Sequence, residues 1–190
     1  MTTETGAAGE PLEILLALLD LERLELNLFR GLNRDIGSGR LFGGQVLAQA
    51  LVAAGKTVEG RAAHSLHGYF LLAGMSDLPV IYDVELTRDG GSFSTRRVVA
   101  RQRGKTIFHM ELSFHREERG FEHAAVLDVD APEPEQLLTT RELVQKYAAF
   151  LPQGAAAAMA GHQTIVELKP VNPEELVMIV NELLKTEGRE

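Results

Sequence analysis

Between Gly43 and Gly55 the chain reads Gly-Gly-Gln-Val-Leu-Ala-Gln-Ala-Leu-Val-Ala-Ala-Gly, with no charge before Lys56. Val46, Leu47, Ala50, Leu51 and Ala54 recur at helical spacing and Gly55 is a fitting stop, so the spacing predicts a helix of about three turns. A helix apolar on nearly all sides requires cover on nearly all sides. The chain must therefore supply something broad enough to wrap it. The Gly43-Gly44 entrance leaves backbone N–H groups unhindered at the positive end of the helix dipole, where a carbonyl oxygen can be held. Close packing of the helix start against a sheet explains the same glycines.

The wrapping material follows directly. Alternation of apolar and polar residues runs through 63–72, 80–87, 93–102 and 106–115, the pattern of half-buried strands. Arg88-Asp89-Gly90-Gly91 and Arg103-Gly104-Lys105 join the last three as tight turns, which makes them an antiparallel meander. On the first of these, Val80, Tyr82, Val84 and Leu86 are expected on one face, with Ile81, Asp83, Glu85 and Thr87 on the other. The fold class is α+β: an antiparallel sheet wrapped around one helix, with a helical C-terminal extension.

Composition removes several function classes. The 190 residues contain no cysteine, which excludes disulfides, thiolate metal sites and a cysteine nucleophile. A net charge of -8 argues against nucleic-acid binding. The run Leu12 to Leu19 is interrupted by Glu13 and followed by Asp20 and Glu22, so it reads as an amphipathic helix and neither a signal peptide nor a membrane span. A cytoplasmic domain is expected. No G-x-S-x-G turn, phosphate-binding loop or dinucleotide fingerprint is present.

Two residue groups merit attention as site candidates. Arg96, Arg97, Arg101, Arg103 and Lys105 form a basic cluster that could meet the phosphates of a nucleotide-bearing substrate. Strand alternation sends Arg96 and Arg97 to opposite faces, so they cannot act as one clamp. His64 and His67, three apart on a strand, are likewise expected on opposite faces. Whichever faces the helix is a candidate general base, against the alternative of a surface or structural histidine. No metal-ligand spacing is present.

The segments LFGGQVLAQAL, HSLHGYFLLAG, PVIYDVE, RDGGSFSTRRVVARQRGKTIFHMELSFHR and GFEH, in that order, resemble the first repeat of the acyl-CoA thioesterase II family from about Leu12 to His123. Glu167 to Pro173 resembles that family's inter-repeat linker more weakly. The resemblance implies a HotDog fold and hydrolysis of fatty acyl-CoA to fatty acid and coenzyme A, without a metal or organic cofactor. It implies acyl-CoA as the ligand, with Gly43, Gly44, Gln45, Arg96 and Arg97 as candidate substrate-binding residues.

The family places its catalytic Asp, Thr or Ser, and Gln in a second repeat, for which this sequence has no positions. By pseudo-symmetry His67 stands roughly at the Asp position and Leu112 at the Gln position. No carboxylate lies between Gly43 and Val58, and glutamine cannot accept a proton from water. An independent site would therefore rest on His64 or His67. Three segments are expected: a HotDog domain over 10–123, a linker with a surface helix (Gln136 to Phe150) and an alanine run over 124–172, and a C-terminal helix over 173–190. Asn172, Pro173 and Glu175 give the last of these a good start. A lone HotDog leaves a strand edge open, so a homodimer, or pairing with a separate second repeat, is expected. The alternative function is a non-catalytic acyl-CoA-binding or scaffold HotDog that pairs with a separate catalytic half.

Overall fold

The computed structural model describes residues 11–35, 39–126, 131–151, 167–174 and 178. The chain divides into two compact units, Met1–Phe121 and Glu122–Glu190. The first holds helix α1 (Pro11–Leu19), the hairpin β1 (Glu22–Glu25) and β2 (Leu28–Gly31), helix α2 (Gly43–Gly55), and strands β3 (Ala62–Phe70), β4 (Val80–Asp89), β5 (Phe93–Gln102) and β6 (Lys105–His115). All six strands form one sheet in the order β1-β2-β4-β5-β6-β3, antiparallel throughout.

The helix and the four long strands lie where the periodicity predicts them. The β5–β6 turn is closed by Arg103 and Gly104, both at positive φ (48° and 73°), which suits the right-handed twist of the flanking strands. The β1–β2 hairpin is absent from the sequence reading. All four residues of β1 are exposed, so no apolar alternation marks it. The Leu86 expectation also fails. A register shift between Glu85 and Arg88 leaves Val80, Tyr82 and Val84 buried but Leu86 exposed.

The core is the contact of α2 with the inner face of the sheet. Val46, Ala50, Ala53 and Ala54 meet Phe29, Tyr82, Val84, Val98, Ala100, Phe108 and Met110. Three alanines at this interface let the helix approach closely. Gln49 is fully buried among them. Its Nε2 donates to the carbonyls of Leu18 (2.7 Å) and Leu32 (2.8 Å), and its Oε1 accepts from the Tyr82 hydroxyl at 2.7 Å. Burial pushes the Tyr82 phenol well above its ordinary pKa, so it remains a donor. Gly31 is required here, because a Cβ would fall 2.5 Å from Gln49 Oε1. The wrap is nevertheless incomplete: Leu47, Ala48, Leu51 and Gly55 remain half-buried and Gly44 is exposed.

In the second unit, the helix expected over 136–150 is shorter. Turns of 3-10 helix at Pro134–Gln136 and Ala148–Phe150 flank α3 (Thr140–Lys146). Thr139 and Glu142 form a capping box that fixes the helix start. The Thr139 N–H and hydroxyl hold the Glu142 carboxyl below its ordinary pKa. Thr140 donates to the Leu168 carbonyl at 2.9 Å through its backbone N–H. Pro173 and Glu174 are helical, as is Met178; the alanine run and the remainder of the expected C-terminal helix lie outside the described residues.

Candidate functional site at the start of the central helix

The amino end of α2 opens with Phe42 in extended conformation at the N-cap, with no side-chain cap hydrogen bond. The first turn closes through Gln45 N–H to the Phe42 carbonyl at 3.0 Å, so the amides of Gly43 and Gly44 precede the helical ladder. The Phe70 ring lies over Gly43, where a Cβ would sit 3.1 Å from the ring, and itself rests on Phe108 at 4.7 Å between centroids. Beside this helix start is an open cavity of about 370 Å³, lined by Leu41, Gly43, Val46, residues 70–74, Ile107 and Phe108. Its wall is apolar and carries no ionisable side chain.

Gln45 is at the helix start and buried, with its Nε2 donating to Asn33 Oδ1 at 2.9 Å. Arg96 is elsewhere. Its side chain is 2% exposed on the inner face, at the carboxyl end of α2. Nε donates to Thr57 Oγ1 and Nη2 to the Thr57 carbonyl and to Asp89 Oδ1, while Nη1 donates to the carbonyls of Arg88 and Thr95. The guanidinium thus compensates the negative end of the helix, with all its nitrogens engaged by protein acceptors. Hydrogen bonds from Ser94 and Arg96 hold the Asp89 carboxyl below the ordinary carboxylate range. Arg97 lies on the outer face, half-exposed and 3.7 Å from Glu85, so the two arginines do separate as alternation requires.

The histidines do not separate, which corrects the sequence expectation. A bulge between Ala63 and Ser65 shifts the β3–β6 register by one residue. His64 then lies on the same outer face as His67, because the extra residue resets the alternation. His64 Nε2 meets Ser113 Oγ at 2.9 Å, with the rings of Phe93 and His115 adjacent. His67 packs on Tyr69 and pairs across strands with Glu111. Neither histidine faces the helix start, whereas Leu112 is buried on the inner face.

The site therefore has a binding half. It offers an apolar hole, two glycine amides at a positive helix end and no group able to take a proton. Among the described residues no His, Asp or Glu cluster could hold a metal ion, and no helix is long and apolar enough to cross a membrane. Sequence reasoning missed Asn33 and Gln102, which hold the loop beside the cavity. The available signal was a polar residue at an inner-face position: Gln102 falls in phase with Val98 and Ala100.

Comparison with known proteins agrees with this geometry. Residues 32–115 match the family model for the acyl-CoA thioesterase N-terminal domain. This segment belongs to that domain family. Human acyl-coenzyme A thioesterase 8 is 42% identical over 170 residues, covering 86% of this chain and 53% of that protein. The tesB protein of Mycobacterium avium subspecies paratuberculosis is 38% identical over 66% of this chain and 50% of its own, with a TM-score of 0.61. A Hot dog fold protein of unknown function from Alicyclobacillus acidocaldarius is 18% identical, covering 66% of this chain and 48% of its own, with a TM-score of 0.58. The fold is HotDog. The chain spans about half the length of the curated relatives it matches.

Proposed function

We propose that this chain is the acyl-CoA-binding, N-terminal half of an acyl-CoA thioesterase, which hydrolyses fatty acyl-CoA once a second repeat supplies the reactive groups. The cavity at the uncapped start of α2 carries this reading. The acyl tail occupies the cavity, and the thioester carbonyl points to the Gly43 and Gly44 amides. Those amides stabilise the oxyanion that forms when water attacks. The attacking water must be activated by a base from outside the described wall, because no ionisable group lines it.

Strand β3 supports a place for that second repeat. Among the described residues it pairs only with β6 in the sheet order, and it exposes Leu66, Tyr69 and Phe70. Pairing along this edge would cover it and the half-buried stripe of α2. In the absence of a separate repeat, a second copy of the chain takes the same edge, giving a homodimer; a strictly monomeric mass by light scattering at micromolar concentration would exclude it. A cytoplasmic setting belongs to the same proposal.

Thiol release from a panel of acyl-CoAs tests the activity. The chain alone is expected to turn over little or nothing, and a separately produced second repeat is expected to restore hydrolysis. Acyl-CoA binding without any rescue would favour the second reading, a non-catalytic binding module, for which the outer placement of His64 and His67 argues. Turnover by the chain alone that disappears in His64→Ala or His67→Ala would overturn the division of labour.

A further inference from the structure

Residues 71–74, the first part of the 71–79 loop between β3 and β4, form one wall of the cavity, and the loop lies in no named strand or helix. Their position is fixed by scattered bonds. The N–H groups of Leu71 and Leu72 both donate to the Ile107 carbonyl (2.9 and 3.2 Å), and Leu41 N–H donates to the Gly74 carbonyl at 2.9 Å. Beyond Gly74 a backbone bridge of Met75 to Arg40 and a bond from Ser76 N–H to the Gly39 carbonyl (3.3 Å) are joined by side-chain amides. Gln102, 7% exposed at the end of β5, accepts from Met75 N–H at 2.8 Å through Oε1. Its Nε2 donates to the carbonyls of Met75 (2.9 Å) and Leu78 (2.7 Å). Asn33 Nδ2 also donates to the Leu78 carbonyl, and Asn33 accepts from Gln45 in the first turn of α2. One chain of amides thus ties the loop to the helix start.

An amide at this inner-face position is costly to bury unless it is satisfied, and all its bonds go to the loop. We propose that Gln102 is a positioning residue that sets the acyl-chain selectivity of the cavity: by fixing Met75 and Leu78 it holds the adjoining wall segment 71–74 in place. This rests on the reading of the cavity as the acyl site. The cavity wall is apolar, so the carbons of a saturated chain laid against it lose contact with water. A firm wall rewards each of these carbons, whereas a loose wall yields to short and long chains alike.

Non-hydrolysable S-alkyl-coenzyme A thioethers from ethyl to hexadecyl, titrated calorimetrically into the full chain, test this. The wild-type affinity is expected to rise about fourfold per methylene until the chain outgrows the cavity. In Gln102→Met, similar in size but without the amide, and in Gln102→Asn, with an amide too short to reach, the gain is expected to fall below about twofold per methylene, with ethyl-CoA binding unchanged. A profile in both variants identical to wild type overturns the role of Gln102 while leaving the acyl cavity standing. A wild-type profile flat in chain length instead removes the acyl cavity, and the proposal with it. Should neither variant fold, amide exchange at Met75 in the wild type decides: added protection with dodecyl but not ethyl thioether supports the role, and equal protection with both overturns it.

Discussion

At its carboxyl end α2 is clamped: Arg96 reaches it from β5, donates to Thr57 twice, and is itself held by Asp89 and the carbonyls of Arg88 and Thr95. At its amino end α2 has no side-chain cap, two glycines and an apolar cavity. One terminus has its charge compensated by a buried guanidinium, while the other keeps its positive end available. The difference shows how a single helix is anchored at one end so that the other can be left unsatisfied for a ligand.

The largest break in this comparison is expected from Arg96→Ala. It strands buried acceptors and leaves a hole, and is expected to cost about 3 kcal/mol, read as a lower urea midpoint with an unchanged slope. Gly43→Val attacks the opposite end. Its side chain would press on Phe70 and enter the cavity, so acyl-CoA thioether affinity is expected to drop at least about tenfold, while stability shifts by no more than about 1 kcal/mol. If Gly43→Val destabilised the fold as much as Arg96→Ala, the distinction between anchor and site would be lost.

The smallest effect is pH-dependent. The folded Asp89 carboxyl has a depressed pKa, so its contribution is complete above the unfolded value of about 4 and disappears as the pH falls through the folded value. Asp89→Asn is therefore expected to lower stability at neutral pH slightly and to flatten the decline below about pH 4, measured by thermal melts across pH. An acid profile unchanged by the substitution would show that Arg96 is held without Asp89.

Local periodicity made much of this molecule legible. The charge-free run from Gly43 to Gly55 specifies a core helix, and period-two alternation with glycine turns specifies the three-strand meander, because both signals lie within one element and its neighbour. The Gly43-Gly44 entrance was visible for the same reason. The hairpin β1–β2 was not, since its first strand buries nothing and is held by pairing.

Sequence by itself determined which segments could form the helix and strands, and that no carboxylate could stand on the helix. Only the tertiary structure decided where side chains went once strands were in register. A single bulge near Ser65 placed His64 with His67 on the outer face, and the crossing of β5 beneath α2 made Arg96 a helix anchor instead of a phosphate contact. Gln102 likewise acquires its role from a loop more than twenty residues earlier. Periodicity is a property of neighbours along the chain, whereas register, bulges and amide networks depend on partners that only folding brings together.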